Sequence, residues 1–270
     1  MYEKEVSDLF SRFGLTVGTC AYSDVALNGE PDRFKTVITT VLPYWFKPEG
    51  KRNISIYAML PDYHKVLGGI LETITAELKE LFPDNVFEFH VDVSPVNEKK
   101  AAALSGLGFI GKNTLLINER YGSFVFIGDI CTDAEIYIKN EFVSDGCGDC
   151  DLCVKACPGN ALCTGFNIDR CVSAITQKKG ELTDSESSIL RRSGSVWGCD
   201  VCSSVCPYNK GLEISSYYEE YKDQVLPEIN ENMLDGLTNG EFRRKFNDRA
   251  FVWRGISVLR RNLDILECNE

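Results

Sequence analysis

The chain has no apolar run approaching the roughly 20 residues of a membrane-spanning helix. It also has no low-complexity segment, and no internal repeat beyond two groups of cysteines. The first absence excludes a helical membrane protein. No secretory leader is legible at the start either, where residues 1–14 read as an amphipathic helix stopped by Gly14. The expectation is a cytoplasmic protein in a compartment that keeps thiols reduced. Basic charge is in short supply: 29 Lys and Arg face 40 Asp and Glu, a formal net charge of −11, which suits nucleic acid poorly. Histidine is scarcer still, with two, His64 and His90.

Cysteine is abundant. There are 12 in 270 residues, nine of them from Cys147 to Cys206. A chain of this length buries a core without cross-links, so clustered thiols in a reducing compartment point to metal. The first group, Cys147-x-x-Cys150-x-x-Cys153-x-x-x-Cys157-Pro158, is the bacterial ferredoxin run, whose first three thiolates wrap one cubane while the fourth serves another. A partner group is therefore required. Cys199-x-x-Cys202-x-x-x-Cys206-Pro207 supplies it, with Cys171 upstream as the missing ligand. Cys147, Cys150, Cys153 and Cys206 are assigned to one [4Fe–4S] cluster, and Cys157, Cys171, Cys199 and Cys202 to the other. Structural zinc also takes four cysteines, usually as paired C-x-x-C units; the triple spacing and two Cys-Pro ends argue for iron–sulfur. Cys20, Cys131, Cys163 and Cys268 fall outside the pattern and read as small apolar residues or bystanders.

Hydrophobic patterning divides the rest. Residues 1–140 mix periods of two and 3.6. Strands are expected at 36–42, 53–60, 86–93, 114–118 and 123–131, and helices at 64–82 and 99–104. In 86–93, Phe87, Phe89, Val91 and Val93 alternate with Glu88, His90 and Asp92. Residues 141–212 are rich in Cys, Gly and Asp, with little apolar periodicity, so their order is expected to come from bound metal. Residues 213–270 turn helical. Within 241–261, seven basic residues (Arg243, Arg244, Lys245, Arg249, Arg254, Arg260, Arg261) face Glu241 and Asp248, which reads as a solvated helix face or a phosphate contact.

The stretch Gly106-Leu107-Gly108-Phe109-Ile110-Gly111-Lys112-Asn113 satisfies G-x-G-x-x-G and nearly a phosphate loop. Both need a strand before and a helix after. Here the order is reversed, and Asn113 replaces the Mg²⁺-binding hydroxyl. The glycines instead imply close approach of backbone to a ligand or a neighbouring strand.

The ordered set Tyr57-Ala58, Asp62-Tyr63-His64, Val91-Asp92 with Pro95 and Glu98, the 106–113 stretch, both cysteine groups, Cys171-Val172-Ser173, Gly198-Cys199-Asp200 and Arg260-Arg261-Asn262 resembles one family, the epoxyqueuosine reductases of tRNA queuosine synthesis. The resemblance runs over about residues 30–265. It implies an α+β fold: a nitroreductase-like cobalamin-binding domain (1–140), a ferredoxin-like double [4Fe–4S] module (141–212) and a short helical C-terminus (213–270), laid out like the reductive dehalogenases. It implies an oxidoreductase that reduces epoxyqueuosine to queuosine in tRNA, using cobalamin and two [4Fe–4S] clusters. Asp92 matches the family's proton donor, with Tyr63 and His64 in the same site. A strand-end carboxyl beside an apolar corrin would have its pKa raised by desolvation. Ser55, Asn97, Lys112, Asn113, Ser173 and Asp200 match cobalamin-contacting positions. Implied partners are a queuosine-family tRNA and an electron donor such as flavodoxin or ferredoxin, for a monomer that meets no membrane. Typical members continue into C-terminal helical repeats that help hold tRNA, whereas this chain stops after 241–266. That difference and the acidic charge keep two alternatives in view: a corrinoid-dependent reductase of a small molecule, and an electron-transfer protein that reduces a corrinoid.

Overall fold

The run expected as a strand at 36–42 lies at the centre of a four-stranded antiparallel sheet. The computed structural model describes residues 2–27, 32–138, 140–141 and 146–267; Cys268 lies outside them. The described chain clusters into two units, and the first comprises Met1–Tyr44, Tyr63–Gly148 and Ser215–Tyr217. Helix α1 (Glu3–Ser11) buries Val6 and Phe10. Strands β1 (Thr16–Ala21), β2 (Thr36–Pro43), β3 (Phe87–Val91) and β6 (Val125–Thr132) pair in the order β1-β2-β6-β3. All eight residues of β2 are buried, as expected for a strand covered on both faces.

The two covers can be read from β6. Side chains alternate between faces along a strand. Gly128 faces helix α3 (Tyr63–Leu81): a Cβ there would stand 2.7 Å from Leu71 Cδ1. Its neighbour Ile127 packs with Ala102 of helix α4 (Glu98–Leu104). The helices therefore lie on opposite faces of the sheet, and Asp129, two residues beyond Ile127, faces α4. Helix α3 buries Leu67, Leu71, Ile74 and Leu78 at helical spacing, each worth about 1.5–3 kcal/mol when fully buried.

The expected alternation in 86–93 is only partly realised. β3 stops at Val91 and pairs with β6 alone; Phe87 is buried, but Phe89 is 37% and Val93 83% exposed. As an edge strand it has little to bury Phe89 against. Residues 114–118 shrink to the two-residue strand β5 (Leu116–Ile117), paired with β4 (Phe109–Ile110).

The second unit comprises Trp45–Asp62, Asp149–Ile214 and Tyr218–Glu270. Here the strand expected at 53–60 is instead a single bridge, Ile54 to Trp197, followed by a turn of helix, α2 (Ile56–Met59). Ile56, Ala58, Met59 and Leu60 are all buried, so burial is not alternating, and a short apolar run does not distinguish the two forms. Helices α5 (Leu152–Ala156), α6 (Val172–Gln177), α7 (Asp184–Ser193) and α8 (Val201–Ser204) follow. The expectation that 141–212 lacks a core needs correction. Val172, Ile175, Ile189 and Leu190 form one, with Ile265 and Leu266 against it. Helix α7 opens on a full capping box between Thr183 and Glu186.

Short helices α9 (Ser216–Tyr221) and α10 (Glu231–Leu234) precede the C-terminal segment. The helical segment expected over 241–266 is two helices, α11 (Asn239–Lys245) and α12 (Ile256–Glu267), separated by residues 246–255, which carry a 3-10 turn (Ala250–Arg254) and end on Gly255 at φ +88°. Much of its basic charge holds the unit's own backbone. Arg249 donates to the Met59 and Gln224 carbonyls, Arg260 to Leu234 and Leu237, and Arg261 to Lys178 and Gly180. Buried Asn262 donates to the Thr176 and Val196 carbonyls. The Arg260-Arg261-Asn262 motif is thus a clamp within this unit.

Candidate functional site

Where β3 ends, Asp92 takes a left-handed backbone, φ +67°, which Asp tolerates better than most residues. This turns the chain out of the sheet before Ser94 and Pro95. Tyr63 and His64 open helix α3 beside it. His64 Nε2 lies 3.5 Å from Asp92 Oδ2, with the two side chains 42% and 57% exposed. The Tyr63 ring stacks on Phe126 at 4.0 Å, and Phe126 stacks in turn on Tyr44 at 4.3 Å. Tyr63 and Asp92 line a cavity of about 190 Å³ with Glu98, Lys99, Ser123 and Phe126. The three expected site residues are therefore brought together.

Glu98 was legible as part of a motif but carried no role. It is the first residue of α4, behind the N-cap Asn97, whose side chain accepts the Lys100 amide at 3.1 Å. Burial pushes its carboxyl up to about 7, and the negative charges of Asp129 and Asp92 add to the shift. Asp129 is 1% exposed; burial raises it to about 7 as well, against the pull of the Thr39 and Ser94 hydroxyls. Its Oδ1 has no hydrogen-bond partner. His90 sits opposite Asp129 on β3, and burial lowers its pKa.

The glycine stretch follows α4. Gly106 has φ +74°, and a Cβ there would stand 2.6 Å from that of Asn140. A Cβ on Gly108 would collide with the Ile117 backbone. These glycines admit neighbouring protein segments. The Lys112 amide donates to Cys147 Sγ at 3.4 Å, and its ammonium donates to the Gly148 carbonyl at 2.6 Å. Lys112 thus touches a cysteine of the first group. Asn113 is buried; its Oδ1 accepts the Leu115 amide, and its Nδ2 has no partner. An unpartnered buried donor costs about 1–3 kcal/mol unless something accepts from it, which fits a ligand rich in amide and phosphate oxygens.

In the second unit, Asp200 lies between Cys199 and Cys202. Its carboxylate accepts hydrogen bonds from Ser55 Oγ, Arg52 (2.6 Å) and the Ile56 amide (2.9 Å). Two expected cofactor-contacting residues, Ser55 and Asp200, are thus bonded to each other. A cavity of about 300 Å³ beside them is lined by Arg52, Asn53, Ser195 and Cys199. Ser173 Oγ accepts from Gln177. Arg52 carried no expectation; no spacing in the sequence ties it to residue 200.

The described cysteines are all free thiols. Burial pushes Cys199 up to about 11 and Cys202 to about 12, and the charges of Cys157 and Cys171 bear on both. The four thiols assigned to one cluster are therefore electrostatic neighbours. Buried thiols of this kind ionise when a metal takes the proton's place. Cys20 and Cys131 belong to an apolar cluster with Tyr22, Phe34 and Val96. Cys163 is exposed.

These features define an iron–sulfur protein with a second, separately built polar site. Residues 146–209 match the family described as "4Fe-4S double cluster binding domain", and residues 31–93 match "Epoxyqueuosine reductase QueG, DUF1730". The chain is 34% identical over 239 residues to the epoxyqueuosine reductase of Lactococcus garvieae, covering 85% of this chain and 67% of that one. It is 36% identical over 207 residues to that of Listeria monocytogenes, covering 76% and 54%. The structure of the Streptococcus thermophilus epoxyqueuosine reductase is similar, with TM-score 0.81, 29% identity and coverage of 98% and 81%. So is that of an epoxyqueuosine reductase with a tRNA-Tyr epoxyqueuosine-modified stem loop, with TM-score 0.82, 26% identity and coverage of 98% and 80%. A catabolic reductive dehalogenase shares the fold alone, with TM-score 0.53, 16% identity and coverage of 78% and 32%. The chain belongs to the epoxyqueuosine reductase family, an oxidoreductase family. It spans little more than half the length of some curated relatives, 54% and 53% in two of them.

Proposed function

We propose that this protein is a cytoplasmic, cobalamin-dependent reductase that removes the epoxide oxygen of epoxyqueuosine in tRNA. The observation that carries the reading is the cavity lined by Asp92 and Tyr63, with His64 beside Asp92, in a chain whose residues 146–209 match a double-cluster domain. An electron carrier alone needs no such proton-bearing pocket. In finer terms, residues 1–140, apart from Trp45–Asp62, form a nitroreductase-like cobalamin domain, 141–212 a ferredoxin-like module and 213–270 a helical end, acting as a monomer fed by flavodoxin or ferredoxin.

The cobalamin, when bound, supplies the low-potential electrons that break a carbon–oxygen bond, which no side chain can provide. Asn113 offers a donor to its periphery, and Ser173 lies two residues beyond a cluster cysteine. Ser55 and Asp200 hold the Cys199–Cys202 loop through their mutual hydrogen bond. Asp92 delivers a proton to the departing oxygen. His64 orients the Asp92 carboxyl, and the Tyr63 ring forms an aromatic wall against the substrate.

A second reading has one observation in its favour. Arg249, Arg260 and Arg261 bind the protein's own carbonyls, which leaves less basic surface for RNA and favours a smaller substrate. Anaerobic titration with cobalamin tests the common core of both readings: a saturable spectral change is expected. An unchanged spectrum with no heat of binding would leave only an electron carrier.

A further inference from the structure

Epoxide reduction to an alkene consumes two electrons and two protons: both carbon–oxygen bonds break, a carbon–carbon double bond forms, and the oxygen leaves as water. The electrons would come singly from an external one-electron reductant, relayed by the clusters when these are bound. Asp92 carries a single acidic proton. After giving it up it is a carboxylate, and it must be reprotonated before the oxygen can leave. In the open pocket water can do this, since Asp92 is 57% exposed. With substrate seated over it, the proton has to come from within the cavity.

Resting on the function proposed above, we propose that Glu98 holds the second proton of the reaction and returns it to Asp92, with Asp129 behind it as a reserve. Three observations place Glu98 in this role. It lines the same cavity as Asp92. It opens helix α4 on the face of the sheet toward which Asp129 points. Asp129 itself is 1% exposed, and its Oδ1 lacks any partner, a state a neutral carboxyl tolerates and a carboxylate does not.

The charged and titratable groups facing Glu98 are Asp129 on β6, Asp92 beyond β3, His64 on α3 and Lys99 on α4. Lys99 is engaged with the Thr114 carbonyl at 3.0 Å. Around Asp129 stand Thr39, Ser94, neutral His90 and the thiols of Cys20 and Cys131. Burial keeps Glu98 protonated up to about pH 7, and Asp129 and Asp92 add to that whenever they are ionised, so a proton is available at neutrality and lost above it.

The test has two arms on the reconstituted holoprotein. Infrared difference spectra in D₂O, taken across pH 5–9, follow protonated carboxyl bands directly and need no turnover. Two carboxyl bands titrating near 7, those of Glu98 and Asp129, are expected in wild type, and Glu98→Gln should remove one of them. The second arm is the pH profile of turnover on epoxyqueuosine-containing tRNA. Wild-type kcat is expected to fall above about pH 7. Glu98→Gln should lose that limb and about 10-fold or more in kcat, with KM unchanged, and Glu98→Asp should regain part of the rate. No titrating band in wild type, or a Glu98→Gln enzyme that keeps both bands, keeps the limb or stays within twofold of wild-type kcat, overturns the proposal. A wild-type protein with the bands but no turnover at all overturns the functional reading beneath it instead.

Discussion

Asp92 leaves the sheet on a left-handed backbone at φ +67°, a conformation that costs most residues about 1–2 kcal/mol. Asn accepts the same conformation at least as well, so Asp92→Asn removes the acidic proton and leaves the turn intact. Turnover should fall by about 10²–10⁴-fold, with iron content and cobalamin affinity near wild type. Turnover within a few-fold of wild type would take Asp92 out of the mechanism. The role assigned to Asp92 could be read from a motif; the company it keeps could not. Glu98 and Asp129 are 31 positions apart in sequence, and the charge of one bears on the other because Asp129 shares the α4 face of β6 with Ile127. Asp129 also yields a pH prediction. Its carboxyl is raised from an ordinary 3.8 to about 7 by burial, so the folded protein holds a proton that the unfolded chain releases. Stability from this group is therefore full at acid pH and lost as pH rises through about 7. The melting temperature of wild type should drop between about pH 4 and pH 7, and Asp129→Asn should flatten that drop. An identical slope in the two proteins would show that the buried carboxyl is not protonated.

Elements with one strong period were legible. Helix α3 lies within a residue of its expected bounds, and β2 within one as well, because each buries a continuous face. Short elements were not. Ile54–Leu60 reads equally as strand or helix until Trp197 is seen to take the Ile54 bridge and the Ser55 amide. The 241–266 segment hides its break because Gly255 is the lone punctuation within a long charged run. Gly198 shows what a single glycine does between elements. Its φ is +70°, and a Cβ would stand 2.6 Å from that of Ser55, in the loop that leads to Cys199. Gly198→Ala should lower the melting temperature by at least about 2–4 °C, the shift that 1 kcal/mol produces in a domain of this size. It should also reduce iron retention, since the Cys199 loop would move. A variant with wild-type melting and iron would show that this loop has room to spare.

For the whole molecule, the cysteines were the most legible feature, because spacing in sequence is itself the constraint on wrapping a cube. The grouping of Cys157, Cys171, Cys199 and Cys202 recurs in the fold as mutual electrostatic influence. Anaerobic reconstitution should give about eight iron and eight sulfide per chain, since eight thiolates complete two cubanes. Cys171→Ala should fall to about four of each, and Cys20→Ala, in the apolar cluster, should keep all eight. Stoichiometric zinc without iron would contradict this outright. What the sequence concealed at this scale is that Trp45–Asp62 belongs with the cluster-bearing unit, which no change of composition announces. The central claim is the reaction itself. The reconstituted protein, loaded with cobalamin and supplied with a low-potential reductant under argon, should convert epoxyqueuosine to queuosine in tRNA, read by mass spectrometry of the digested nucleosides. Multiple turnovers dependent on both cobalamin and clusters are predicted. Full cluster and cobalamin occupancy with the epoxide left intact would contradict the account.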